Sequence, residues 1–413
     1  MQIVPDPSRG NPACPAPLPQ AEADALIRAE FAALRGPYLD VAARGPLPAS
    51  AEQAAARLLR AQATGAVPKT EWLALVDIVR AQAAALIGAR PEDVAFTKNA
   101  SEGLNIVGGG LGLGRGDQIV VAPAAEHPNN VFPWLWQAQE NRAEVVSVVP
   151  AARESLEEAI IRHIGARTRL VAVTAVDFAT GRRTDLAAIG NACRARGAFL
   201  LVDAAQSSGV LVQDMAALPV DGWATAAQKG MLGLYGLGLL YVRDTWVQRV
   251  KPVSLARFSV EVGLGHEAAG PEAGWRLRDG AGRYEVGNYN YIGLATLQAS
   301  LGLLLRIGSA AVEQRSVAAA DDLRSALERL DIPVLAVPPN HRSHILAIGE
   351  RQEEGHDRSE VAWINGLSDT LTHAGIAHSV RRGALRLSTH VHVLPEVVDQ
   401  VIGSIEAWQR TRR

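Results

Sequence analysis

The sequence predicts an α/β fold, with a mostly parallel central sheet covered by helices on both faces and a smaller α+β domain at the C-terminal end. Three observations carry that expectation. From residue 94 to 242, apolar runs of strand length alternate with stretches of helical periodicity. Those runs are nearly continuously apolar, the pattern of strands buried on both faces. Near residue 290 the alternation gives way to long Ala- and Leu-rich helical segments, so a second unit begins there.

The chain opens with an arm, 1–65, expected to pack with the small domain. The large domain is expected over 66–289. Its candidate strands are 94–96, 118–122, 145–149, 170–174, Phe199–Asp203 and 237–242. Its candidate helices are 101–111, 128–140, 156–164 and 186–196, with apolar residues at helical spacing. The small domain, 290–413, is expected to begin with helices over 292–307 and 312–330 and to finish with one over 395–410.

Composition excludes several function classes. The 413 residues are 48% hydrophobic and 20% charged, with a formal net charge of -2. That balance favours neither nucleic acid nor an anionic membrane as partner. No stretch approaches the ~20 apolar residues of a membrane span. The N-terminus, rich in proline and polar residues, lacks the layout of a signal peptide. Two cysteines, Cys14 and Cys193, form neither a disulfide framework nor a metal-ligand spacing. A cytoplasmic protein is expected. Lysine occurs only at Lys69, Lys98, Lys229 and Lys251, so chemistry that needs a primary amine has four candidates.

Some motifs lead nowhere. The glycine run 108–116 closes a helix and precedes a strand, the reverse of a dinucleotide fingerprint. It reads as a helix end and turn. No P-loop motif occurs. His341 with His344, and His390 with His392, lack the carboxylates or thiols that would complete a metal site. They read as ordinary loop or strand histidines.

Four segments carry chemistry as a set. Residues 97–105 follow a strand and open a helix, where free N–H groups and the Ser101 hydroxyl can meet an anion. Residues 126–130 place His127 beyond a strand end, where ligands of open α/β sheets bind. Phe199–Asp203 runs four apolar residues into Asp203, a carboxylate that burial makes costly unless a cation pairs with it. Residues 221–230 place Lys229 in an apolar, glycine-rich setting, where desolvation lowers an amine's pKa and makes it a nucleophile and base.

An anion seat, a stacking histidine, a strand-end acid and a buried lysine, in that order, describe a pyridoxal 5'-phosphate site. The sequence resembles the fold-type I enzymes that use this cofactor. Specifically it resembles the class V aminotransferase family, which includes cysteine desulfurases, selenocysteine lyases and isopenicillin N epimerase-like proteins. The resemblance runs from Tyr38-Leu39-Asp40 to Leu385-Arg386-Leu387-Ser388-Thr389-His390. It implies that Lys229 forms the imine to the cofactor and that Asp203 keeps the pyridine nitrogen protonated. His127 would stack on one ring face and Ala205 on the other, with Gln206 at the phenolic oxygen. Ala100 and Ser101 would hold the phosphate, and Arg386 the substrate α-carboxylate. The segment 283–288, ending in Asn288, matches the one that reaches the partner's phosphate, so a homodimer with shared active sites is expected.

Departures from the family narrow the reading. Ala226-Ala227-Gln228-Lys229 stands where Ser-x-His-Lys is common, leaving Thr225 and Gln228 to replace two phosphate contacts. Phe178 stands where an asparagine often meets the phenolic oxygen. The segment 367–385 has no cysteine where desulfurases carry their sulfur-accepting thiol. The expected activity is therefore β-elimination of C–S lyase type on a small amino acid, without a protein persulfide. Epimerisation, transamination and decarboxylation remain as alternatives. The stretch 261–282 is a candidate lid. A nicotinamide oxidoreductase is disfavoured by the misplaced glycines, and a silent binding protein by the joint presence of Lys229 and Asp203.

Overall fold

The computed structural model describes residues 16–66, 69–262, 274–352 and 355–411; Cys14 lies outside them. Seven strands form the central sheet: β1 (Val94–Thr97), β2 (Gln118–Val121), β3 (Glu144–Ser147), β4 (Thr168–Thr174), β5 (Phe199–Asp203), β6 (Gly222–Ala226) and β7 (Gly238–Val242). Their spatial order is β1-β7-β6-β5-β4-β2-β3. All pairings among β2 to β6 are parallel, whereas β7 runs antiparallel to both β1 and β6.

Successive residues of a strand face opposite sides of its sheet, and here both sides are core. On β5, Leu200 and Val202 join one apolar cluster with Val120, Val171 and Val173. Phe199 and Leu201 join the other with Ile119, Val121 and Leu170. Helices Lys69–Leu86, Leu156–His163, Leu186–Arg196 and Tyr291–Ile307 cover the first face. Ala100–Gly110 and Phe132–Asn141 cover the second. The doubly covered sheet expected from the unbroken apolar runs is the one observed.

Two details differ from expectation. Strand β6, Gly222-Trp223-Ala224-Thr225-Ala226, is additional to the six expected strands. Glycine and alanine are poor strand formers, and burial between β5 and β7 overrides that preference. The helix expected over 128–140 splits into a turn, Pro128–Asn130, and a helix, Phe132–Asn141.

Strands β8 (Val260–Val262) and β9 (Trp275–Leu277) pair at the flanks of the candidate lid, whose residues 263–273 lie outside the described residues. In the C-terminal part, β10 (Ile345–Ile348), β11 (Ser379–Arg381) and β12 (Ala384–Ser388) form an antiparallel sheet in the order β10-β12-β11. Helices Ser309–Arg329, Ala362–His373 and Pro395–Arg410 share its core. Helix Tyr291–Ile307, by contrast, puts Leu294, Leu297, Leu301 and Leu304 into the large-sheet core beside Leu237 and Leu239.

The N-terminal arm touches both units. Its helix Ala49–Ala63 lies against Tyr291–Ile307, while Tyr38 bridges to Ala377 and Asp40 to Ser388 in the small sheet. Among the described residues, no single helix is long and apolar enough to cross a membrane.

Gly181 fits the turn after β4 against β10. At φ +77°, a Cβ there would stand 2.1 Å from the Ile345 carbonyl oxygen. Gly181→Ala is expected to cost about 2–4 kcal/mol, from left-handed strain plus a backbone clash. Thermal melting checks it, and an unchanged midpoint would contradict this packing.

Candidate active site

Parallel strands align their carboxyl ends, and the loops beyond those ends enclose a cavity of about 420 Å³. Asp203 ends β5, Lys229 follows β6, His127 follows β2, and Ala100 opens the helix after β1. All four line the cavity, as do Ser101, Ala205, Gln206 and Gln228. Distances of a hundred residues in sequence thus collapse into one chamber because neighbouring strands end together.

The inner wall is electrostatically coupled. Burial is the main influence on Lys229 and pushes its ammonium down to about 8; Asp203 opposes this, and Arg386 and Arg381 add to it. Burial likewise pushes the Asp203 carboxyl up, against the N–H of Ala205, which donates to Oδ1 at 3.0 Å, and against the charge of Lys229. A buried acid with one backbone donor and one cation is only partly satisfied, so it retains capacity for a ligand that bears a proton. Gln206 donates through Nε2 to the Ala42 carbonyl at 3.0 Å, while its buried Oε1 has no partner.

His127 lines this space and is held there by its own loop. Its Nδ1 accepts the Asn129 N–H at 3.2 Å, and Phe178 meets it edge-on, 5.1 Å between centroids. Burial first, then the charges of Lys229, Arg381 and Arg386, push it down to about 4, so the imidazole is neutral near neutral pH. Just before it, Glu126 is buried and accepts from Asn130 Nδ2 and the Thr174 N–H, both at 2.7 Å. Burial raises the Glu126 carboxyl well above the usual range, against those two bonds. This carboxyl ties the His127 loop to the end of β4. No sequence signal beyond its place beside His127 marked it out.

At the helix start, Asn99 is the cap: its Oδ1 accepts the Glu102 N–H at 2.9 Å. The N–H groups of Ala100 and Ser101 therefore lie in the first turn, where intrahelical acceptors are lacking. Lys98 also lines this end of the cavity, a cation of the anion-seat segment 97–105 that carried no role of its own in the sequence. Thr225 is turned elsewhere; its hydroxyl donates to the Ala204 carbonyl at 3.4 Å, and it is not among the cavity residues. Asn288 is exposed and outside the cavity. Its neighbours Arg283 and Tyr284 are buried and bonded within their own chain, to Val247 among others.

An outer chamber of about 590 Å³ shares His127, Phe178, Gln206, Lys229 and Tyr235 with the inner one. Arg386, on β12, lines it at 2% exposure. Its Nη1 donates to the Phe178 carbonyl at 2.7 Å, Nη2 to Asp40 at 3.2 Å and Nε to Ser379 at 3.1 Å. Burial pushes it down to about 10, against the pull of Asp40. Two of its five N–H donors are left over.

His390 and His392 are structural. His390 Nε2 faces the carbonyls of Gly209 and Gly230 at 3.1 and 2.9 Å, and His392 Nε2 faces that of Tyr38 at 2.9 Å. Burial pushes them down to about 4 and about 3. Among the described residues, no group of three or more His, Cys, Asp or Glu side chains is arranged to hold a metal ion.

Known proteins share this architecture. The family model for aminotransferase class-V matches residues 37–388. A probable cysteine desulfurase of Methanothermobacter thermautotrophicus is 32% identical over 288 residues, 68% of each chain. The uncharacterized aminotransferase YcbU of Bacillus subtilis is 29% identical over 344 residues, covering 83% of this chain and 84% of its own. The cysteine desulfurase structure from Thermococcus onnurineus superposes with a TM-score of 0.78 at 25% identity, over 94% of this chain and 98% of that one. The cystine C–S lyase C-DES, solved with its product cysteine persulfide, shares the fold at TM-score 0.79 and 23% identity, over 90% and 98%. The family works with pyridoxal 5'-phosphate. A match over most of the chain, on a sheet whose strand ends gather a lysine, an acid and a histidine, makes this protein a member of the class V aminotransferase family.

Proposed function

We propose that the protein is a pyridoxal-phosphate-dependent lyase that cleaves a Cβ–S bond of an α-amino acid without a persulfide on its own chain. One observation carries the reading: a buried lysine faces a buried acid in a cavity whose described walls include no cysteine. Cys193, the free cysteine among the described residues, lies in the core on helix Leu186–Arg196, its thiol pushed up to about 12 by burial.

The residues fit the cofactor by their chemistry. Asp203 suits a protonated ring nitrogen, and the unpartnered Gln206 Oε1 suits a polar ligand atom. The first-turn N–H groups of Ala100 and Ser101, with Lys98 and Gln228, suit a phosphate. His127 and Ala205 would flank the ring. Asn288 is assigned to the partner's site in a homodimer, and the Thr225 hydroxyl ties β6 to Ala204. When bound, pyridoxal phosphate supplies an aldehyde that condenses with amines and a ring that accepts electrons from Cα.

Each side chain then has a task of its own. Lys229 Nζ, neutral above about pH 8, anchors the cofactor and, once displaced by the substrate amine, takes the proton from Cα. Asp203 keeps the ring proton in place. His127 stays neutral and so does not repel a cationic ring. Arg386 offers its two unused N–H donors to the α-carboxylate, in a fork that Asp40, Ser379 and the Phe178 carbonyl hold rigid. The pair from the broken Cβ–S bond leaves on sulfur, and the released imine takes up one water to give an α-keto acid and ammonia.

Three measurements test this. The cofactor-free protein should capture pyridoxal phosphate faster as pH rises. The folded-state pKa of Lys229 is lowered from 10.5 to about 8, so the nucleophilic amine is fully available above about 8 and falls about tenfold per unit below it. A profile that keeps rising to the ordinary lysine value would contradict the burial of Nζ. With cysteine S-conjugates in deuterated buffer, an α-keto acid plus ammonia should accumulate, and Lys229→Ala should lose about 10³-fold in turnover. Deuterium at Cα without net product, or a pyridoxamine spectrum, would instead mark epimerisation or transamination. Arg386→Gln should reduce kcat/KM by about 10–100-fold, the loss of a charge-assisted contact.

A further inference from the structure

The outer chamber holds more positive charge than that chemistry uses. Arg381, Arg382, Arg386 and Lys229 all line it, and among the described residues no carboxylate does. Arg386 has Asp40 beside it and an α-carboxylate to bind. Arg381 and Arg382 have no task in the reaction.

Arg381, at the end of β11, donates to Asp357 Oδ1 at 3.1 Å and to the Val380 carbonyl at 2.7 Å. Asp357 is shared, because His356 Nδ1 stands 3.0 Å from its other oxygen. The charge of Arg381 nonetheless reaches inward: after burial, it is among the charges acting on Lys229, His127 and Arg386.

Arg382 is the more telling residue. With Gly383 it forms the two-residue turn between β11 and β12, closed by the pair Arg381–Ala384. Both turn residues have positive φ, +48° and +73°. Such turns favour asparagine or glycine at the first position, and a long side chain there is strained. The strained residue is a cation on a chamber wall that is already cationic. Its guanidinium donates to the Ala124 and Glu126 carbonyls and lies 5.3 Å from the Phe178 ring centre. Among the described residues, no carboxylate pairs with it. Strained backbone clusters at ligand-binding sites, and this strained residue carries its charge on the wall of a cavity.

We propose that the substrate carries a second anionic group beyond its α-carboxylate, and that Arg381 and Arg382 bind this group while Arg386 holds the α-carboxylate. The substrate class is an α-amino acid whose sulfur substituent ends in an anion such as a carboxylate or sulfonate. A chamber of about 590 Å³ lies within the range of about 300–1,000 Å³ that takes extended ligands. The inference rests on the lyase reading above and sharpens its substrate.

The test is a matched pair, S-carboxymethylcysteine and S-carbamoylmethylcysteine, which differ only by carboxylate against carboxamide. KM is measured on the holoenzyme, and Kd by calorimetry on protein without cofactor. The carboxylate should bind at least about tenfold more tightly in both. In the double variant Arg381→Gln/Arg382→Gln the preference should fall below about threefold, with Arg381→Lys in place of Arg381→Gln recovering part of it. Equal affinity for the two ligands, no measurable binding of the carboxylate, or an undiminished preference in the double variant overturns the proposal. A protein that takes up no cofactor yet keeps the calorimetric preference would fail the lyase reading alone. One that turns over both ligands without preference would fail the subsite alone.

Discussion

A buried ammonium and a buried carboxylate face each other beyond β5 and β6, and most of the architecture serves that pair. Neither charge is tolerable alone in a protein interior. Lys229 is held below its ordinary pKa and Asp203 above its own, each chiefly by burial. Both groups are buried at the end of a sheet covered on both faces, and the pair meets because parallel strands end level. The pair is thus both a cost to the fold and its chemical resource.

Around it, polar bonds fix what packing alone would leave loose. Glu126 fastens the His127 loop to β4, and Trp134 in turn donates to Asn130, the partner of Glu126, at 3.2 Å. From the other side, Arg386 grips the Phe178 carbonyl, Asp40 and Ser379. One side chain therefore joins the arm, the small sheet and the turn after β4. The outer chamber lies where those three meet at this guanidinium.

Much of this was legible in the chain. Runs such as Phe199–Asp203 announce a strand buried on both faces, and the scarcity of lysine singles out Lys229. The six expected strands and the doubly covered sheet follow from hydrophobic pattern alone. Strand β6 did not, since its Gly and Ala residues carry no strand preference and only its neighbours make it one. Thr225 shows the limit of position as a guide: its hydroxyl turns to the Ala204 carbonyl. Glu126 was hidden because its burial depends on Thr174 and Asn130 together. The chamber of Arg381 and Arg382 was hidden for a related reason, since a hairpin turn in one unit and a loop in another acquire a common wall only in three dimensions.

Asp40 and Arg386 stand 346 residues apart, and that separation has a consequence during synthesis. A ribosome working at about 5–20 residues per second needs about 20–70 seconds to deliver the second after the first. The strands of the large sheet are all available long before then, so the nascent chain can close around Lys229 and Asp203 while the arm still lacks its strand β12. For that interval the arm's bridging backbone, Tyr38 and Asp40, has no mate of its own chain. Strand β12 and the turn before it are thus the residues that turn a folded large sheet into a closed substrate chamber.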